Sequence, residues 1–219
     1  MTPHILPVTA PGTPRLSDVL RLSQMAATSH LDALGLTGRA EAEGLVWVII
    51  RIHGEIYGPI SGSLTAETWP GVAKSGFLPR YCRLFDESGR LVASLVTVWV
   101  LADAKSRTLA AATLPIPDLT TGNELPIPRS LPRKRMETAG SFTVKPEWID
   151  ENGHMNNSCY PLAAEEVLGC QPLPKAFWLD YRHELLPGQT AELSALREED
   201  TLFVSATAEK EYFRMKLQF

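Results

Sequence analysis

The 219-residue chain has only three cysteines, Cys82, Cys159 and Cys170, an odd set with no CxxC spacing. That argues against a disulfide framework and against a zinc site, so all three are expected as reduced thiols. No apolar run is long enough to span a bilayer, and residues 1–16 lack the basic start and apolar middle of a signal peptide. The expectation is a soluble, cytoplasmic protein with no membrane span. Positive charge is not in excess either. A net charge of −4 predicts no general affinity for nucleic acid. Gly-x-Ser-x-Gly is missing, which argues against a serine mechanism of the α/β-hydrolase kind.

What remains is a composition of 44% apolar and 21% charged residues, enough to bury a full core in one large or two small domains. Pro3, Pro7, Pro11 and Pro14 predict an irregular leader over residues 1–14. From Ser17, read as a cap, Leu20, Ser23, Ala27, His30, Leu31 and Leu34 recur at helical spacing until Gly35. His30 falls on or beside that stripe and reads as a core or boundary histidine. The run over residues 45–52 is β-branched and aromatic, as in a buried strand, and residues 64–69 form a partner closed by Pro70-Gly71. Residues 81–85 and 90–100 flank Asp86-Glu87-Ser88-Gly89, a hairpin signal.

Five prolines then interrupt residues 114–136 and forbid a regular helix, so this stretch reads as a linker ending in Arg133-Lys134-Arg135. Three adjacent cations suit a solvated face or the docking of an acidic partner. The second half repeats the order of the first. A short strand over residues 141–144 leads to a polar loop, a helix follows over residues 160–168, and residues 177–185 match the earlier buried strand. Residues 190–196, 202–208 and 212–217 give three more strands. Glu55 precedes Leu64 by the interval at which Glu184 precedes Leu193, so the shared order suggests a duplicated unit. Periodicity alone gives an α+β fold with antiparallel sheet.

The chemistry concentrates in Asp150-Glu151-Asn152-Gly153-His154-Met155-Asn156-Asn157-Ser158-Cys159-Tyr160. Short polar residues at such density predict a loop ending in helix caps, and Tyr160, Ala164, Val167 and Leu168 supply the helix stripe that stops at Gly169. A helix start offers unpaired N–H groups to a developing oxyanion. His154 can move a proton near neutral pH, Asp150 can orient it, and Asn152 can donate to an oxygen or hold a water. Capping alone needs one such residue, and this loop carries five.

Asp-x-Asn-x-His followed by Asn-Asn and Tyr resembles the signature of the acyl-acyl carrier protein thioesterases of plants and bacteria, matched by Asp150, Asn152, His154, Asn156, Asn157 and Tyr160. Glu67-Thr68-Trp69-Pro70 is similar to a strand end in that family's first half. The resemblance implies two tandem hotdog units, each a helix packed in an antiparallel sheet: an N-terminal unit over residues 15–113, a linker over 114–140, and a catalytic unit over 141–219. It implies that Glu184, within Tyr181-Arg182-His183-Glu184, joins Asp150, Asn152 and His154 as catalytic residues, with Asn156, Asn157 and Tyr160 binding substrate. The implied reaction is hydrolysis of an acyl thioester to a fatty acid and a thiol, with no cofactor, an acyl carrier protein as partner, and room for a homodimer. Whether a carboxylate or His154 is the base, or Asp150 or Glu184 acts instead as a nucleophile forming an anhydride, stays open at this point. Cys159 occupies a variable position of the pattern and is not expected as a nucleophile. Leu185 stands where plant members carry Cys, and Pro161 and Ala163 depart from the family's helix, which suggests an altered pocket wall. An acyl-coenzyme A thioesterase and a non-catalytic acyl-binding module are the rival readings.

Overall fold

The structure, a computed structural model, describes residues 2–106, 108–110 and 125–219. The start of the expected linker, up to residue 124, lies outside the described residues. In chain order the elements are β1 (His4–Ala10), α1 (Leu16–Ala33), α2 (Thr37–Ala42), β2 (Leu45–Ile56), β3 (Gly62–Pro70), β4 (Leu78–Asp86), β5 (Leu91–Asp103), β6 (Glu137–Thr143), α3 (Tyr160–Leu168), β7 (Ala176–Tyr181), β8 (Thr190–Glu198), β9 (Thr201–Thr207) and β10 (Glu211–Gln218). Among the described residues the ten strands join one sheet in the order β1-β3-β4-β5-β2-β7-β10-β9-β8-β6.

Cut between β2 and β7, the order is the same on both sides when read from the two outer edges. In each half an edge strand leads to a helix and then to the seam strand, and three further strands fill the space between. The α+β fold with two tandem hotdog units follows from this order. One apolar cluster, with Leu20, Ile52, Tyr160, Phe177 and Phe213 among its members, draws on both halves. At the seam Gly54 faces Phe177 across the β2–β7 ladder. A Cβ on Gly54 would meet that ring at 2.2 Å, so only glycine lets the two strands close over the phenyl group. Among the described residues no helix is long and apolar enough to cross a membrane.

Three expectations change. Residues 4–10 are no irregular leader but strand β1, paired to β3 with Pro7 opposite Thr65. The prolines misled because β1 is the sheet's edge, where a strand residue without an N–H loses no ladder bond on its outer side. Helix α1 starts at Leu16 with Arg15 as its cap; the Asp18 carboxylate accepts the Arg15 N–H at 2.8 Å, and Ser17 is buried in the first turn. Strand β6 begins at Glu137, inside the expected linker, because its edge position beside β8 demands backbone pairing more than apolar content.

Residues 125–136 have no regular structure and cross the sheet face opposite the helices. Ser130 Oγ and the Leu131 N–H donate to Asp180 at 2.8 and 3.1 Å, while Arg214 donates to the Leu131 carbonyl. Of the three linker cations, Lys134 pairs with Glu198 at 2.6 Å and Arg133 lies 4.0 Å from Glu211.

His30 is a core histidine, as its stripe position predicts. It stacks on His4 at 5.0 Å, and its Nδ1 lies 3.0 Å from Nη1 of the buried Arg80. Burial first, then the Arg80 charge, push His30 from 6.5 down to about 4. Above about pH 6.5 neither the folded nor the unfolded chain protonates this residue, and the full stability is present. As pH falls toward 4 only the unfolded chain takes up the proton, which removes on the order of 2–3 kcal/mol. Urea midpoints at pH 7 and pH 4.5 should therefore fall less in His30→Gln, whose amide oxygen still accepts from Arg80 without titrating, than in the parent.

Candidate active site

The signature folds as a tight hairpin tip. Ile149 and Met155 form an isolated antiparallel bridge, the Asp150 N–H donates to the His154 carbonyl at 3.0 Å, and the Gly153 N–H donates to the Asp150 carbonyl at 3.0 Å. Gly153 holds φ at 79°, a left-handed conformation that a Cβ disfavours. Gly153→Ala is expected to cost about 1 kcal/mol and to lower kcat more than KM, because it shifts both neighbours; thermal melts with initial rates check this. Asp150 works inward. Its Oδ1 accepts the Asn152 N–H at 2.9 Å, and its Oδ2 stands 3.6 Å from His154 Nδ1. Nδ1 also lies 3.4 Å from the Met155 carbonyl, so it faces the loop, which leaves Nε2 for the solvent side.

The loop leads into a 3₁₀ turn (Asn157–Cys159) continuous with α3. Asn156 is its cap: the side-chain oxygen accepts from Ser158 N–H at 2.9 Å and from Ser158 Oγ at 2.7 Å. The Cys159 N–H donates to the Asn156 carbonyl at 2.8 Å. These two first-turn donors are therefore already used within the turn, which counts against the oxyanion role expected of the helix start. Burial raises the Cys159 thiol above its usual range, which keeps it protonated and unsuited to attack.

Strand β7 was expected to run to residue 185 but stops at Tyr181. Residues 182–185 leave the ladder, with the Arg182 N–H on the Tyr212 carbonyl at 2.8 Å and the Leu185 carbonyl accepting the Met155 N–H at 2.8 Å. The second bond ties the glutamate segment to the signature loop. Between them opens a cavity of about 350 Å³ lined by Asn152, His154 and Glu184, with Asn157 and Tyr160 behind. Tyr181 completes that wall: its hydroxyl donates to the Asn157 carbonyl at 2.9 Å, and its ring meets Tyr160 edge-on at 5.0 Å. Burial pushes the Tyr160 phenol up, so it stays neutral. Asp150 and Asn156 are not among the lining residues; the first reaches the cavity through His154 and the second acts as a cap.

The opposite wall is apolar and comes from the N-terminal half, as residues 46–50 of β2 with Ala102 of β5. Arg182 and Lys210 add positive charge near Glu184, with His183 beside them. Lys210, on the turn between β9 and β10, carries no signal in the sequence. Burial and the Lys210 charge lower His183 from its usual range, so it is neutral at pH 7.

A family model described as the acyl-ACP thioesterase N-terminal domain matches residues 6–116. The chain belongs to the acyl-ACP thioesterase family. Glu67-Thr68-Trp69-Pro70 lies inside the matched stretch, whereas the signature loop and Glu184 lie beyond it. An acyl-ACP thioesterase from Bacteroides thetaiotaomicron superposes with a TM-score of 0.82 at 18% identity, covering 98% of this chain and 96% of that one. A 12:0-ACP thioesterase from Umbellularia californica superposes with a TM-score of 0.80 at 18% identity, over 100% of this chain and 98% of that one. These two likenesses fix the double hotdog fold over the whole length. No curated protein matches closely enough to stand as a relative. In this cavity a polar corner from one unit faces an apolar wall from the other.

Proposed function

We propose that this thioesterase hydrolyses the acyl thioester of an acyl carrier protein, releasing a fatty acid and the carrier thiol. The observation that carries the reading is the single cavity shared by Asn152, His154 and Glu184, closed on its far side by the apolar run of β2. The Glu184 carboxylate takes a proton from the attacking water, and the Asn152 amide donates to the carbonyl oxygen as it becomes an oxyanion. His154, oriented through Nδ1 by Asp150, protonates the departing thiolate from Nε2. Asp150 is a positioning residue, since both of its oxygens face the loop.

Charge near the mouth favours an acidic carrier. Lys210 also lines a neighbouring groove of about 410 Å³ with Arg133, Lys134 and Arg214, four cations against the carboxylates Glu209 and Glu211. Thiol release should be measured for one acyl chain on acyl carrier protein and on coenzyme A, at low and high salt. The carrier-protein substrate is expected to react at least about tenfold faster in kcat/KM at low salt, and to lose that advantage as salt screens the encounter. Equal rates at all salt concentrations favour the acyl-coenzyme A reading. Binding of acyl groups without thiol release leaves only a binding module.

A further inference from the structure

Five successive residues of β2, residues 46–50, line the cavity. Side chains of a strand alternate between its two faces, so a cavity that touches five in a row runs along the strand's edge. Register shows why that edge is open. The last β2–β7 pair is Arg51 with Asp180, and β7 stops one residue later. Beyond it β2 continues for six residues, from Ile50 back to Leu45, paired to β5 on one side and, on the β7 side, beside no strand among the described residues.

The direction of each backbone group along that stretch can be worked out. The Ala104 N–H donates to the Gly44 carbonyl at 2.9 Å, so the ladder to β5 uses Gly44 and then every second residue, Val46 and Val48. Further along, the Tyr57 N–H donates to Val92 in β5 at 2.8 Å, and the Ile56 N–H donates to Lys175 on the β7 side at 2.8 Å. The parity therefore changes between the two stretches, and it changes at the bulge between Ile49 and Arg51, where Ile50 is the extra residue. As a result Trp47 and Ile49 point their N–H and C=O groups away from β5, into the cavity that holds Asn152, His154 and Glu184.

An open strand edge recognises an extended chain whose secondary amides can exchange hydrogen bonds with it. The arm that presents a thioester on a carrier protein or on coenzyme A has that chemistry: a phosphate, two secondary amides in an extended chain, then sulfur. We infer that the backbone of Trp47 and Ile49 binds the amides of this pantetheine arm as an added strand, with sulfur toward Asn152, His154 and Glu184 and the phosphate toward Arg182 and Lys210. The inference rests on the thioesterase reading of the cavity and deepens it: the bulge at Ile50 and the early end of β7 together make the substrate's strand site.

The test uses a dodecyl thioether of phosphopantetheine, which has no bond to hydrolyse, and amide hydrogen exchange of the full chain by NMR. At saturation the Trp47 and Ile49 N–H groups should exchange at least about tenfold more slowly, while Val46 and Val48, already in the β5 ladder, stay unchanged. An analogue with an ester in place of the amide nearest sulfur should bind about tenfold more weakly. Unchanged exchange at Trp47 and Ile49 with ligand bound, equal affinity for the ester analogue, or no binding of the thioether overturns the inference. Thiol release from the matching thioester is read in parallel. Release without protection sinks the strand site alone, and protection without release sinks the hydrolytic reading alone.

Discussion

Replacing Glu184 by Gln is expected to lower kcat for thiol release by about 10²- to 10⁴-fold with KM little changed, the loss typical of a removed general base. The substitution keeps shape and hydrogen-bonding capacity and removes only the basic oxygen. The contrast with Asp150→Asn gives the prediction its force. Both are carboxylates of the same region, but Asp150 spends Oδ1 on the Asn152 N–H and turns Oδ2 to His154, while Glu184 lines the cavity itself. Asp150→Asn keeps an oxygen for the Asn152 N–H and loses only the charge behind His154, so about a tenfold loss is expected. Initial rates across pH 6–9 separate the two roles. A larger defect in Asp150→Asn than in Glu184→Gln assigns the base to Asp150, and equal, small defects in both remove carboxylate catalysis.

How much of this was legible in the sequence depends on whether a feature is local. The hairpin tip from Asp150 to His154 needs only its own neighbours: an Asp to accept a backbone N–H, a Gly to turn left-handed, a His one turn on. Adjacent residues therefore announced it. Asn156 was legible as one of several candidate caps but not as the residue that caps, because a carboxamide two residues before a helical N–H suits both capping and substrate binding until coordinates decide. Glu184 had no local signal and rested on its likeness to a family strand. Its placement comes from the early end of β7 and from the Met155–Leu185 bond, which joins segments far apart in the chain. Lys210 and the bulge at Ile50 were invisible for the same reason, being consequences of how β2, β5, β7 and β10 register. Strand β1 was missed because proline frequency speaks for irregular chain in general, and only the sheet order reveals that Pro7 stands on an edge.

Asp180→Ala should be the most destabilising single substitution on the sheet face opposite the helices, by about 3–5 kcal/mol, the range for breaking a buried charge cluster by removing one partner. Asp180 is 3% exposed and sits at the last rung of the β2–β7 seam. It gathers Arg51 from the first unit at 3.6 Å, Arg182 from the active-site segment at 2.8 Å, and the linker through Ser130 and Leu131. Without it the partly buried Arg51 and Arg182 lose their shared carboxylate, and the Leu131 N–H loses its acceptor. A domain of this size should lose about 10 °C in Tm. Lys134→Ala breaks the more exposed pair with Glu198 and should cost no more than about 1 kcal/mol, which serves as the control for linker ion pairs in general. Asp180→Asn separates charge from geometry, since its amide oxygen can still accept from Ser130 and Leu131 while leaving both guanidinium groups without a counter-ion. If the linker bonds dominate, Asn restores most of the stability; if the cations dominate, Asn resembles Ala. Arg182 lies two residues before Glu184, so thiol release should fall in step with the loss of the Arg182 contact, and urea midpoints measured beside kcat for the three variants decide between the two cases.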